Sequence, residues 1–220
     1  MSDKHRKVVG IDEVGTGAWA GPLFVCAVAV DASWLISGLR DSKELTKEKI
    51  AQLYKELVAE PGLKYFIVSK SPEQIDEMGL GRATEQAWVD AGKGILELAP
   101  GAKVFLDGSR RPKDPIAETW NVLPNADAHI PCVMAAAIIA KYTRDNLMKQ
   151  EALKYPHYAF EKNVGYGTEV HREGLNAHGI CPIHRKSYKP VQAYLKEGPG
   201  EFGAHEVSSD LYGAWKTTGT

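Results

Sequence analysis

Three cysteines in 220 residues are too few and too scattered for a disulfide framework. Cys26, Cys132 and Cys181 also lack the paired spacing of a zinc site. Cys26 and Cys132 lie among apolar residues, where a free thiol packs as a small hydrophobe. No apolar run approaches the length of a membrane span. Residues 1–7 are polar and charged, unlike a secretory leader, and no segment repeats. A formal net charge of −1 excludes a generic polyanion binder. The Gly-Lys-Ser/Thr ending of a phosphate-binding loop is missing, because Gly92-Lys93 is followed by Gly94. These absences point to a reducing cytoplasm, no membrane partner and a monomer.

What is present is enough for a core, since 44% of residues are apolar. The length suits one domain, residues 1–196, with a Gly-rich tail over 197–220 that is expected to be mobile. Phe202, Tyr212 and Trp215 in that tail could pack back on the body or serve an unknown protein partner. Strands are predicted over Lys7–Glu13, Leu23–Val30, Lys64–Ser69 and Lys103–Leu106, with a short one near Glu118–Val122. Thr46–Ala59 has helical spacing and is stopped by Pro61-Gly62. Ser71 caps a short helix that has Pro72 at its first position. Arg82–Leu98 and Cys132–Lys154 are longer helices, and the chain beyond Lys154 reads as short helices and loops. Strands alternating with helices give an α/β protein, a mixed sheet with flanking helices. Residues 141–196 hold more Lys and Arg than Asp and Glu, so a basic C-terminal part faces an otherwise acidic chain.

The stretch Val8-Val9-Gly10-Ile11-Asp12-Glu13-Val14-Gly15-Thr16-Gly17 ends an apolar strand in two adjacent acids and a glycine turn. Buried like charges this close repel, and a bound cation relieves that. Carboxylate oxygens suit Mg²⁺ or Mn²⁺. Gly15-x-Gly17 is not a dinucleotide fingerprint, because a second strand comes next rather than a helix. A second strand ends in an acid at Leu106-Asp107-Gly108, and Asp127 lies just upstream of the longest helix. Four acids at element ends, Asp12, Glu13, Asp107 and Asp127, with no zinc-type ligands among them, suggest a hard-cation site for phosphoryl chemistry. Taken singly, each would be an ordinary cap or turn residue.

In order along the chain stand Gly10-Ile11-Asp12-Glu13-Val14-Gly15, Asp41-Ser42-Lys43-Glu44-Leu45-Thr46, Leu106-Asp107-Gly108, Ala135-Ala136-Ala137-Ile138-Ile139-Ala140-Lys141-Tyr142-Thr143-Arg144-Asp145, Gly165-Tyr166-Gly167-Thr168 with His171, and His184-Arg185-Lys186-Ser187-Tyr188. Together, over about residues 7–195, they resemble type 2 ribonuclease H, ribonuclease HII. The resemblance implies a ribonuclease H-like fold with a helical C-terminal part. It implies metal-dependent cutting of the RNA strand of RNA–DNA hybrids, leaving 5′-phosphate and 3′-hydroxyl ends. It also implies nicking at ribonucleotides in duplex DNA. Asp12, Glu13, Asp107 and Asp127 match the family's catalytic carboxylates, and the cofactor would be Mg²⁺ or Mn²⁺. The Gly15-Thr16-Gly17 turn and Tyr166 would read the ribose 2′-hydroxyl. Ser42, Lys43, Lys141, Arg144, His184 and Arg185 are candidate phosphate contacts, with helix-entry, sheet-edge or structural roles as alternatives. Asp145 would be a structural partner of a nearby base.

The sequence departs from the family pattern at three points. The usual Gly-Arg-Gly turn has Thr16 at its centre, as in ribonuclease HIII, although the C-terminal motifs look like type HII. Val164 stands where a Lys usually precedes the Gly-Tyr pair, and Ala137 where the pattern has Ser. The loss of Arg at position 16 leads us to expect better cutting of continuous hybrids than of lone ribonucleotides. Two rival functions stand beside the nuclease: a catalytically weak hybrid-binding protein, and a type HIII-like specificity without single-ribonucleotide nicking.

Overall fold

A computed structural model describes residues 7–35, 45–195 and 214–218. Strand β1 (Lys7–Val14) and strand β2 (Leu23–Asp31) form an antiparallel hairpin in register from Lys7 opposite Asp31 to Val14 opposite Phe24. β2 is buried along nearly its whole length, which fits its run of branched and small apolar residues. Strand β3 (Lys64–Lys70) pairs antiparallel with β2 on one side. Strand β4 (Lys103–Asp107) runs parallel to β1 on the other, and β5 (Asn121–Leu123) runs parallel to β4.

Helices cover both faces. Helices α1 (Lys47–Val58) and α4 (Pro131–Lys154) lie on one face, where Ile50, Leu53, Leu57, Ala135, Ala136, Ile138 and Ile139 join Cys26 and Val28. Helix α3 (Leu80–Leu98) lies on the other, where Ala87, Trp88, Ala91 and Ile95 pack on Val9, Ile11, Val25 and Ala27. The alanine run lets α4 approach the sheet closely. A Cβ on Gly10 would overlap the Cys132–Val133 backbone, so β1 and α4 meet main chain to main chain. Thr46 and Ser71 cap α1 and α2 (Pro72–Met78), the latter with a full capping box through Gln74.

The C-terminal part is a satellite of short elements: α5 (Phe160–Asn163), α6 (Glu169–His178) and α7 (Lys189–Gln192). Tyr158, Phe160, Leu175, Cys181 and Ile183 gather there around Met148 of α4 and Ala20. Among the described residues no helix is long and apolar enough to cross a membrane.

Several sequence expectations shift. The short strand near 118–122 falls at Asn121–Leu123, after Trp120 is buried in a turn. The longer helix begins at Leu80, two residues earlier than expected. Within the tail expected to be mobile, Ala214–Thr218 forms strand β6, antiparallel to β3, so the sheet order is β5-β4-β1-β2-β3-β6. The physical reason is that β3 would otherwise leave a row of main-chain donors and acceptors without a strand partner. Ser42, Lys43, Phe202 and Tyr212 lie outside the described residues.

Candidate active site

Because Ile11 pairs with Leu106 in the parallel register, Asp12, two residues before the end of β1, lies beside Asp107, the last residue of β4. The carboxyl ends of parallel strands are where open α/β sheets place their ligand crevice. A left-handed residue, Asn125, turns the chain after β5 and sets Asp127 in a 3-10 turn just before α4. The Ala126 N–H donates to Asp107 Oδ1 at 3.0 Å, tying that turn to the strand end. Asp12, Asp107 and Asp127 each offer an oxygen, and these oxygens lie within 4.8 Å of one another.

Glu13 stands apart from that trio. Strand alternation turns Asp12 to the α4 face and Glu13 to the α3 face, where the Trp88 indole N–H donates to Glu13 Oε2 at 3.0 Å. Burial, then the charges of Glu13 and Asp107, hold the Asp12 carboxyl well above the usual carboxylate range. Burial pushes Glu13 up to about 7, although the indole bond favours its charged form. A set of oxygen donors that are buried and mutually repelling fits a hard divalent cation, which would remove the repulsion.

The glycine turn comes directly after Val14. Gly15 has φ +91°, and a side chain there would overlap the Arg144 guanidinium, so only glycine fits. Tyr166 is 38% exposed, and a Cβ built on Gly17 would lie 3.6 Å from its ring. The Trp19 and Ala20 N–H groups both donate to the Gly165 carbonyl, docking the two glycine-bearing loops together.

The structure corrects the reading of three basic residues. Arg144, His184 and Arg185 are buried rather than presented to phosphates. Arg144 donates to the carbonyls of Pro22 (2.8 Å), Val164 (2.8 Å) and Ala20 (3.1 Å). Arg185 donates to Gly21 (2.9 Å) and Thr16 (3.1 Å) and to the Tyr188 hydroxyl (2.8 Å). Each fork of donors collects carbonyls that a tight turn leaves without partners. Burial, then Arg185, lowers Arg144 to about 10, and burial lowers Arg185. Lys141 remains partly exposed, paired with Asp145 at 3.0 Å, so Asp145 is that lysine's partner.

Sequence reasoning missed Trp88 altogether. It also missed Asp76, whose carboxylate accepts from Lys186 N, Ser187 N and Ser187 Oγ and so anchors the C-terminal turn. His171 stood out only as part of a motif. It is fully buried, with its Nε2 2.9 Å from His184 Nε2. Burial pushes His184 down to about 3 and also lowers His171. Cys26, Cys132 and Cys181 are free and buried.

The profile of the ribonuclease HII family matches residues 9–191. The ribonuclease HII of Bacillus cereus (strain Q1) is 38% identical over 190 residues, which cover 86% of this chain and 72% of that protein. The ribonuclease H2 of Pyrococcus horikoshii OT3 superposes with a TM-score of 0.70 at 26% identity, covering 86% of this chain and 96% of that one. The ribonuclease HII of Archaeoglobus fulgidus, solved in complex with PCNA, gives a TM-score of 0.67 at 25% identity, covering 82% and 94%. Strand-end acids on a mixed parallel and antiparallel sheet, together with these matches, place the chain in the ribonuclease HII family of ribonuclease H hydrolases.

Proposed function

We propose that this enzyme cuts the RNA strand of RNA–DNA hybrids using Mg²⁺ or Mn²⁺ held by Asp12, Asp107 and Asp127, with Glu13 completing the set. The observation that carries this reading is the convergence of three carboxylate oxygens within 4.8 Å at the ends of parallel strands. When bound, the cation supplies Lewis-acid stabilisation of charge at the phosphodiester and an activated water. The chain's own residues fix the donors. The Glu13 N–H holds Asp12 Oδ1 at 2.8 Å and the Ala126 N–H holds Asp107 Oδ1 at 3.0 Å, which orients both carboxylates. The Trp88 indole holds one Glu13 oxygen on the α3 side of β1, so any part Glu13 takes in holding the cation would fall to its other oxygen.

The exposed Tyr166 ring beside Gly17 suits contact with a ribose, where the 2′-hydroxyl separates RNA from DNA. Lys141 suits a backbone phosphate, and Ser42 and Lys43 carry the same role through the family resemblance alone. Products would bear 5′-phosphate and 3′-hydroxyl ends. The enzyme would act as a monomer in a reducing cytoplasm, consistent with three free, buried thiols.

The test is cleavage of two labelled substrates, a continuous hybrid and a DNA duplex holding one ribonucleotide, with Mg²⁺, with Mn²⁺ and with chelator. Cation-dependent cutting of the RNA strand is expected, with the continuous hybrid preferred. Hybrid binding without cutting in either metal would replace the nuclease with a binding protein.

A further inference from the structure

Deep in the C-terminal part, two imidazoles and two main-chain groups form one continuous line. The Cys181 N–H lies 2.9 Å from His184 Nδ1. His184 Nε2 lies 2.9 Å from His171 Nε2. His171 Nδ1 lies 3.0 Å from the Tyr166 carbonyl oxygen. Both imidazoles are buried, and Tyr158 and Phe160 pack edge-on or tilted against them.

The two ends dictate every proton between them. An amide N–H can only donate, so His184 Nδ1 accepts. With that hydrogen aimed at it, Nδ1 cannot also carry a proton toward the Cys181 carbonyl 3.2 Å away, and the Cys181 thiol, 3.1 Å off, can only donate to it. A neutral His184 then carries its proton on Nε2 and donates to His171 Nε2. His171 must therefore carry its own proton on Nδ1, which is the atom facing a carbonyl that can only accept. The pattern closes from both directions with no free choice. A second proton on either ring would set two N–H groups against each other or against the Cys181 amide.

We propose that His171 and His184 are positioning residues that set where Tyr166 meets the ribose, through a neutral, one-directional hydrogen-bond chain running from the Cys181 N–H to the Tyr166 carbonyl. This rests on the proposed role of Tyr166 at the sugar. The Tyr166 carbonyl takes two donors, His171 Nδ1 and the Thr168 N–H at 2.8 Å, which fixes the peptide plane just after the ring-bearing residue. Thr168 in turn caps α6 through the His171 N–H, so the histidine is anchored by its main chain as well. The Tyr166 ring itself is partly exposed, with the Arg144 guanidinium 5.8 Å from its centroid and Gly17 beside it. Its placement therefore depends on its backbone. At the other end, the isolated bridge between His184 and Ala20 joins the chain to the segment after the Gly15–Gly17 turn. The two loops expected to flank the sugar thus share one internal brace.

Imidazole ¹⁵N chemical shifts of the full-length wild-type protein at neutral pH test the tautomers directly. The expected pattern is Nδ1–H for His171 and Nε2–H for His184. Imidazolium or the opposite tautomer at either residue overturns the proposal. A double-mutant cycle on hybrid cleavage tests the consequence. Tyr166→Ala should lower kcat/KM, and no loss there would remove both the sugar role and this inference. His171→Leu should lower kcat/KM about fivefold or more in wild type but less than twofold in the Tyr166→Ala background. His171→Asn, whose amide nitrogen can occupy the place of Nδ1, should recover most of that loss. Equal losses in both backgrounds, or Asn no better than Leu, would mean that His171 serves the fold alone and would leave the Tyr166 role standing. If a variant does not fold, the wild-type tautomers decide.

Discussion

Asp12 is buried beside two other acids, and that crowding sets the behaviour of the whole centre. Asp12→Asn keeps the shape and removes one charge. Cleavage should fall by about a hundredfold or more, since electrostatic contributions of this kind reach ~3 kcal/mol. The metal-free variant should melt above the metal-free wild type, because a repelling carboxylate has gone. Hybrid cleavage with paired thermal melts in chelator checks both halves, and near-normal activity would remove Asp12 from the centre. At Thr16 the structure sharpens a different expectation. Its carbonyl accepts from Arg185 and from the Tyr188 hydroxyl, so its backbone is fixed while its own side chain brings no charge. Arg144 and Arg185 lie beneath the turn, but both are buried, Arg144 donating to carbonyls and Arg185 to the Gly21 and Thr16 carbonyls and the Tyr188 hydroxyl. Thr16→Arg should therefore raise cutting at a lone ribonucleotide relative to a hybrid several-fold, on the order of 1 kcal/mol for one charge-assisted contact. An unchanged ratio would show that recognition there uses backbone only.

At the scale of elements, α6 and the turn Cys181–His184 carry a pH dependence of definite sign. His184 is held to about 3 by burial, then by His171, against an ordinary value of 6.5. Between those values the unfolded chain binds a proton that the folded one does not. Stability from this group is therefore complete above about 6.5 and is lost as pH falls toward 3, by about 1.4 kcal/mol per pH unit. Asp12 and Glu13 act with opposite sign, since their raised values make the fold take up protons first. Comparing urea unfolding of wild type with His184→Gln cancels that contribution. The stability gap should shrink as pH is lowered from 7.5 to 5, and a constant gap would contradict the buried neutral state. The sequence showed the helices and strands because their apolar spacing is local. It did not show this histidine's environment, because the groups that enclose it come from α5, α6 and the residue-20 loop. Arg144 and Arg185 misled for the same reason: apart from Val164, their carbonyl partners lie far back along the chain, at Thr16, Ala20, Gly21 and Pro22.

Across the whole molecule, the convergence of Asp12, Asp107 and Asp127 was legible because two lie at or near strand ends and one precedes a helix, and a sheet with parallel neighbours brings such ends together. That Asp12 and Glu13 straddle the sheet results from strand alternation and was legible in principle. The Trp88 contact that holds Glu13 needed α3 in place. The outermost strand was hidden in a glycine-rich tail whose composition says little about pairing.

That strand has a consequence in time rather than in space. Lys64 pairs with Thr218, so β3 leaves the ribosome long before its outer neighbour has been made. While synthesis continues, the Tyr65-Phe66-Ile67-Val68 edge is an open template for any other extended chain nearby. β6 then acts as a closing latch, arriving last and ending that exposure. Removing residues 214–220 should leave hybrid cleavage largely intact, because the acids sit across the sheet on β1 and β4. It should also bring concentration-dependent association, visible by light scattering during expression and refolding. A truncated chain that stays monodisperse at high concentration would mean that the edge of β3 is guarded by its own sequence and not by the latch.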